Sequence, residues 1–154
     1  MRKERTQKSV FIACSEEGSI IPVAKVELEQ IRAMMHLSLI DFETIKQWKQ
    51  HAPKNSGQWN AIYKLAYDTL HSLAEAFLLL DGVKARSHEC VFAYICEKHP
   101  NLIFDWDFLD MLRSKRNKSI YYGVPISYED WKEIETQITI YISVLKKEIE
   151  KRLP

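Results

Sequence analysis

Turn-forming residues are scarce in this chain of 154 residues, which has only four glycines and five prolines. A sandwich or barrel of many short strands needs turn residues about every 8–12 positions, so the scarcity argues against both architectures. An excess of charge of one sign is also lacking, because 22 Lys and Arg oppose 21 Asp and Glu and leave a formal net charge of +1. Binding to nucleic acid would therefore require a local basic patch.

Long apolar runs are absent as well. No stretch approaches the ~18 apolar residues that a transmembrane helix needs. The charged first eight residues are not followed by the apolar core of a signal peptide, because the polar segment 15–18 interrupts Val10–Cys14. We therefore expect a cytoplasmic protein that does not contact a membrane.

Cysteine is rare, and its spacing is uninformative. Cys14, Cys90 and Cys96 are an odd number and form no CxxC pair, which indicates neither a metal site nor a disulfide. Cys90 and Cys96 are expected to behave as small buried hydrophobes. No histidine and carboxylate are spaced like metal ligands, so no metal or other cofactor is expected.

Residues 1–22 differ in pattern from the rest of the chain. Val10–Ala13 and Ile20–Val23 flank a polar segment with Gly18, which is the pattern of a short β-hairpin. A partly ordered tail fits the same residues, because an isolated hairpin is only marginally stable in water. We divide the chain into an N-terminal tail or hairpin, residues 1–22, and one helical domain, residues 23–154.

From residue 24 onward, apolar residues recur at steps of three and four, which predicts amphipathic helices. The predicted helices span about residues 24–50, 57–81, 88–98, 104–121 and 127–151. Ser87 is placed to cap the third helix, and Ser127 with Asp130 forms a variant of the capping box. Short connections favour antiparallel neighbours, so we predict an all-α, up-and-down bundle of four long helices and a shorter one.

The fourth predicted helix has the most informative pattern. Its buried stripe is expected to consist of Phe104, Phe108, Met111 and Leu112. Lys115 and Arg116 continue this stripe for one more turn, and Arg113 and Lys118 add charge nearby. The helix dipole alone favours cations near a C-terminus. A guanidinium on the core side is unfavourable without a partner, a cleft or an anion, so a functional cleft is the second interpretation.

Two segments resemble the HEPN family of small helical domains. In Arg113–Gly123, the pair Arg116–Asn117 is followed by two tyrosines and a glycine, as in the family's signature. Ala74–His88 resembles the family's central helix, its glycine turn and the Ser-His that opens the next helix. The resemblance covers roughly residues 24–150. It implies a bundle that dimerises through the signature face, in toxin–antitoxin or defence systems beside a nucleotidyltransferase-like partner. Members either cleave RNA without a metal or bind without catalysis.

The chain departs from the nuclease members at one position. In those members a histidine follows the arginine by four to six residues, whereas here Tyr121 and Tyr122 stand at such spacings. Histidine exchanges protons near neutral pH, and tyrosine is a poor base there. Arg116 can still hold a phosphate and Asn117 can orient it, so the replacement affects catalysis more than binding. Arg116 and Tyr121 also lie about 140° apart around an ideal helix.

The predicted function is a HEPN-like homodimer that binds RNA, a nucleotide or a nucleotidyltransferase-type partner, with weak catalysis or none. The predicted ligand-binding residues are Arg113, Lys115, Arg116, Lys118 and Tyr122. One alternative is a metal-independent endoribonuclease that uses Arg116, Asn117 and Tyr121. Another is an interaction scaffold, in which the basic residues only pair with acidic residues of a partner.

Other polar residues are expected to be structural. His71 fits a core or interface position, and His88 fits the opening of its helix. Asp68 and Glu75 lie seven residues apart on roughly one face of the second predicted helix, where solvation explains them, although a carboxylate beside Arg116 would fix its guanidinium.

Overall fold

The computed structural model describes residues 5–154, and it is an all-α bundle with one small sheet. In chain order its elements are α1 (Gln7–Glu16), β1 (Ile20–Pro22), α2 (Leu28–His51), α3 (Gln58–Leu80), β2 (Val83–Ala85), α4 (His88–Lys98), a 3₁₀ turn (Pro100–Leu102), α5 (Trp106–Tyr122) and α6 (Tyr128–Arg152). The predicted fold class and the five helices after residue 24 are confirmed, with the start of the first of them moved to Leu28. None of the helices in the described part is long and apolar enough to cross a membrane.

Helix α3 lies at the centre of the bundle and packs against α2, α4, α5 and α6. More than half of its residues are buried, and Tyr63 and Tyr67 are fully so. The apolar stripe predicted for the last helix is confirmed along its whole length by Trp131, Ile134, Ile138, Tyr141, Ile142, Leu145 and Ile149. The core therefore forms between the inward faces of long helices, as the sequence period indicates.

The hairpin predicted for residues 1–22 is wrong. Residues 10–13 belong to α1, which begins where the Thr6 hydroxyl accepts a hydrogen bond from the Ser9 amide. Gly18 turns the chain with φ +69°, a conformation that glycine adopts at little cost. Strand β1 then pairs antiparallel with β2, far along the chain, with Ile20 opposite Ala85. Residues 1–4 of the predicted segment lie outside the described part.

A disulfide joins α1 to α4, which corrects the expectation drawn from cysteine spacing. Cys14 and Cys90 are bonded with their Cα atoms 5.8 Å apart, although 76 residues separate them in sequence. Local spacing could not reveal this pair, because the packing of α1 on α4 brings its members together. Cys96 is a buried free cysteine, as expected, and burial raises the pKa of its thiol to about 12.

Side chains from α3 hold the C-terminal half of α5 in place. Tyr63 donates its hydroxyl to the Leu112 carbonyl at 3.2 Å. The Asn60 side-chain oxygen accepts from the Ser119 hydroxyl at 3.3 Å and from the Ile126 amide at 2.8 Å. These bonds fix both α5 and the loop that follows it against α3.

The buried stripe of α5 differs in part from the prediction. Phe108 and Leu112 are buried, but Met111 is 37% exposed and Phe104 precedes the helix. Trp106 and Leu109 complete the buried face instead. Met111 and Leu112 lie three and four residues after Phe108, so helical spacing alone fits both. The side of α5 that packs against α3 and α4 is the side that carries Leu109 and Leu112.

The disulfide is expected to stabilise the fold substantially. Replacing both of its cysteines by serine should lower the free energy of unfolding by about 2–4 kcal/mol, because the bond closes a long loop in the unfolded chain. Urea denaturation of wild type and of the Cys14→Ser/Cys90→Ser variant measures this difference. Dithiothreitol should lower the wild-type midpoint and leave that of the variant unchanged. Equal stability of the two proteins would contradict the expectation.

Candidate anion-binding site

The structure places the predicted binding residues of α5 on two different surfaces. One is a pocket of about 240 Å³, called here the α4–α5 pocket, lined by Ser87, His88, Glu89, Arg113, Arg116, Asn117 and Tyr121. Lys115 and Lys118 line a separate depression beside Asp130, and Lys115 Nζ donates to Asp130 Oδ1 at 2.6 Å. Tyr122 is 81% exposed and lines neither surface. The predicted residues therefore do not form one continuous basic cleft.

Arg116 faces the α4–α5 pocket with much of its donor capacity unused. Its Nη2 lies 3.5 Å from Asp68 Oδ1, and its Nη1 lies 3.4 Å from Asn117 Oδ1. Both distances are longer than a normal N–H···O bond. The guanidinium carbon lies 5.3 Å from the centroid of the Tyr67 ring, a cation–π distance. A guanidinium carries five N–H donors, so a further acceptor can be bound here.

Arg113 is more firmly paired than Arg116. Its Nη2 lies 2.8 Å from Asp110 Oδ1, one turn earlier on α5, and 3.7 Å from Glu89 Oε2. Glu89 also forms an ion pair with Arg5. Carboxylates of the same chain thus balance part of the positive charge at the pocket. Whether these arginines form only an ion-pair cluster or also a binding site depends on the guanidinium N–H groups that no carboxylate occupies.

Tyr67 and His88 add a hydrogen-bonded pair that the sequence analysis had not assigned to the site. Tyr67 Oη lies 3.0 Å from His88 Nδ1. Burial raises the pKa of Tyr67, so its hydroxyl stays protonated. In the described residues Nδ1 is the one hydrogen-bond partner of this hydroxyl, so we assign the hydroxyl as the donor and Nδ1 as the acceptor. Burial, and secondarily the charge of Arg116, lower the pKa of His88, so its ring is neutral at pH 7. The ring proton then resides on Nε2, which makes His88 a hydrogen-bond donor in the pocket lining.

His71 stacks directly on His88 behind the pocket. The ring centroids are 3.7 Å apart with a 20° angle between the planes, and His71 is only 7% exposed. Burial, followed by the charges of His88 and Arg116, lowers the pKa of His71 to about 3. His71 is therefore neutral at physiological pH. Glu75, at 3.8 Å from its Nδ1, is the carboxylate closest to this ring among the recorded ion pairs.

Unsatisfied polar atoms are concentrated at this one place. In the described part of the chain, three buried side-chain nitrogens or oxygens lack a hydrogen-bond partner, namely His71 Nε2, Arg113 Nε and Arg116 Nε. Leaving a buried donor without a partner costs about 1–3 kcal/mol, so such atoms are rare and need an explanation. Arg113 and Arg116 line the α4–α5 pocket, and His71 stacks on His88 behind it, so all three atoms lie at or next to the candidate site.

The dimensions of the pocket limit what it can hold. Pockets for whole small-molecule ligands usually occupy about 300–1,000 Å³, whereas this one measures about 240 Å³ and is open to solvent. The pocket therefore fits a phosphate-sized group of a larger ligand. In the described residues, no cluster of three or more His, Cys, Asp or Glu is arranged to hold a metal ion.

Tyr121 lines the same pocket as Arg116, although an ideal helix turns them about 140° apart. Its side chain is 71% exposed, so it reaches the rim from the flank of α5. Asp68 lies beside Arg116, as the sequence analysis considered, whereas Glu75 faces His71 instead. His88 and Tyr67 were missed because they come from α4 and α3. The one sequence signal for them was the Ser-His at the start of α4.

Comparisons of the chain with models of known protein families, with curated proteins and with solved structures found no match. The resemblance to the HEPN family therefore remains a prediction from two short segments.

The buried His71 ring should make stability depend on pH. Unfolded histidine binds a proton near pH 6.5, whereas folded His71 does so only near its lowered pKa of about 3. Between these two values the unfolded chain binds a proton that folded His71 does not. The free energy of unfolding therefore falls as pH drops below about 6.5, by at most ~1.4 kcal/mol per pH unit. His71→Phe should flatten the denaturation free energy between about pH 6.5 and 4.

His36→Phe, at an exposed position of α2, is the control for this substitution. Burial raises the pKa of Glu75, which makes the free energy of unfolding rise as pH falls, opposite to the effect of His71. The quantity to compare is therefore the difference in unfolding free energy between wild type and variant at each pH. An identical pH slope in wild type and His71→Phe would contradict a neutral buried ring.

Proposed function

We propose that this protein is a HEPN-like module that binds the phosphate backbone of single-stranded RNA in the α4–α5 pocket, with little or no catalysis. The observation that carries this proposal is that Arg113 and Arg116, whose buried Nε atoms lack a partner, line one open pocket together with His88. Such donors are expected where a ligand supplies the missing acceptors.

A phosphate group matches the chemistry of the lining better than other anions do. Arg116 Nη1 and Nη2 make only long contacts, to Asn117 at 3.4 Å and to Asp68 at 3.5 Å, and arginine recognises phosphate oxygens with two parallel hydrogen bonds. His88 adds a neutral donor beside it. Asn117, whose side-chain oxygen faces Arg116 Nη1, supports the orientation of the guanidinium.

Single-stranded RNA is favoured by the aromatic residues around the end of α5. Tyr121 lines the pocket and is 71% exposed, and its neighbour Tyr122 is 81% exposed. Exposed aromatic rings beside a phosphate site are typical of proteins that stack on unpaired bases. A bound nucleotide cofactor is a weaker match, because the pocket encloses little more than the space of one phosphate group.

Catalysis is disfavoured by the way His88 is held. A general base needs a free ring nitrogen, but Nδ1 accepts from Tyr67 and Nε2 carries the proton. A general acid needs a protonated ring, and the pKa of His88 is lowered. Tyr121, the other candidate, is a poor base at neutral pH. The arrangement therefore suits binding.

The resemblance also suggests the setting of this activity. A homodimer through the end of α5 is supported by the exposed apolar side chains of Ile120 and Val124 there, and this interface leaves the Tyr121 and Tyr122 rings available to bases. A nucleotidyltransferase-type partner, a role in a toxin–antitoxin or defence system and a cytoplasmic location belong to the same proposal.

Binding is tested with a fluorescent oligouridine of about 12 nucleotides by anisotropy over a range of salt concentrations. Arg116→Gln should weaken binding about tenfold, the loss of one charge-assisted contact. The slope of log affinity against log salt should fall by about 0.7, the value for one phosphate contact on a single strand.

Lys115→Gln is the matched control, since it removes a cation from the same helix that pairs with Asp130 outside the pocket. It should leave affinity within about twofold. Equal losses in both variants would indicate a diffuse charge effect, and no binding by wild type would refute the proposal.

Metal-independent RNA cleavage is the second candidate, because the structure brings a histidine to Arg116 that the α5 segment lacks. We expect labelled RNA to stay intact with wild type in EDTA. If cleavage occurs, its loss in both Arg116→Gln and His88→Ala would establish a nuclease site that uses His88. Loss in Tyr121→Phe instead would assign the tyrosine of the sequence-based alternative.

A further inference from the structure

The helix α1 is held on the bundle by few buried contacts. Of its ten residues only Val10 and Cys14 are buried. Its polar links include the bond from Gln7 Nε2 to Glu97 Oε2 at 2.8 Å, the ion pair between Arg5, just before the helix, and Glu89, and the bond from Trp106 Nε1 to the Arg5 carbonyl at 3.2 Å. The Arg5–Glu89 pair is exposed, and such pairs contribute little to stability. The Cys14–Cys90 bond adds to the packing of α1 on α4, and among these attachments it is the one that a redox reaction can open.

The chain after α1 is anchored independently. Strand β1 pairs with β2, and the Arg86 amide donates to the Ser19 carbonyl at 2.9 Å. Gly18, with φ +69°, lies between the helix and this anchor. If the disulfide opened, α1 could move about Gly18 while the sheet and the other helices kept their places.

We propose that the Cys14–Cys90 disulfide is a redox-controlled latch that holds α1 on α4 and thereby tunes the charge at the α4–α5 pocket. The connection is Glu89, whose carboxylate is shared by Arg5 on the α1 side and Arg113 in the pocket. With α1 released, Glu89 loses Arg5 and pairs with Arg113 alone. Arg113 then becomes less available to an anion.

The surface offers a route for the reaction to one sulfur of the pair. A cavity of about 550 Å³ is lined by Cys14 together with Arg5 and Glu89, and Cys90 does not line it. Cys14 itself is only 2% exposed, so this cavity gives an incoming thiolate its approach toward Cys14. Cys90 lies in the first turn of α4, where its amide donates to the Ser87 hydroxyl, and a helix N-terminus stabilises the thiolate that must leave.

The reductant is a dithiol. Its first thiolate attacks Cys14 Sγ, the Cys14–Cys90 bond breaks, and Cys90 departs as a thiolate that takes up a proton. The second thiol of the reductant then attacks the reductant sulfur of the mixed disulfide and releases Cys14. In total, two electrons and two protons pass to the protein, and the dithiol becomes a disulfide. A reducing compartment would favour the open latch, and an oxidising one the closed latch.

Hydrogen exchange tests the latch without reference to RNA. The oxidised protein is compared with protein reduced by dithiothreitol and with the Cys14→Ser/Cys90→Ser variant. We expect amides of α1 to lose nearly all of their protection in both reduced forms, while amides of α3 and α6 lose only the part that follows from the lower stability of the whole fold. Unchanged protection of α1 would overturn the latch. A loss in α1 no larger than the loss in α6 would also overturn it, because the disulfide would then act only through the stability of the whole fold.

The link to the pocket rests on the proposed function and is measured with the same oligouridine. Reduction should weaken binding about two- to fivefold, the effect of one partly exposed ion pair. Glu89→Gln should bind equally in both redox states while α1 is still released, and equal wild-type affinities in both states would overturn the link. Cys96→Ala, which removes the thiol outside the disulfide, should respond to reduction as wild type does. If the oxidised protein fails to bind, the proposed function fails, and exchange in α1 still decides the latch.

Discussion

The buried hydroxyl of Tyr67 is the contact on which the α4–α5 pocket depends. It donates to His88 at 3.0 Å, and the ring that carries it lies 5.3 Å from the Arg116 guanidinium. One side chain of α3 thus holds a residue of α4 and a residue of α5 in fixed relation. With the buried hydroxyl assigned as the donor to Nδ1, the proton of the His88 ring is on Nε2. The pocket is therefore a property of three packed helices.

The structural features that the sequence predicted correctly are mostly those set by residues a few positions apart in the chain. Helix spans, the Ser87 cap and the Ser127–Asp130 capping box were confirmed, because periodicity and capping act within one or two turns. The site was only partly accessible by this reasoning. Arg113, Arg116 and Asn117 share the pocket as a single helical segment would suggest, but His88 and Tyr67 join them through tertiary packing. The Cys14–Cys90 bond and the pairing of β1 with β2 were missed for the same reason.

Charge at the pocket is balanced more than its basic sequence indicates. Asp68, Asp110 and Glu89 all approach the two arginines, which agrees with a net charge of only +1 for the chain. An anion would therefore be selected by the direction of individual donors at short range, since long-range attraction is weak. Such a site discriminates by shape and hydrogen-bond geometry. In such a site the loss of a single ion pair is enough to change the affinity for an anion.

The disulfide gives the chain a covalent ring as well as a stable N-terminal helix. The ring runs from Cys14 to Cys90 and encloses all of α2 and α3. A proteolytic cut in the loop between those helices would leave the two pieces joined. An unfolding machine that threads the chain through a narrow pore from the α6 side would meet a branch at Cys90, where the chain before Cys90 and the two chain segments attached to Cys14 must enter together. The oxidised protein would therefore resist degradation at a point that its folding stability alone does not determine.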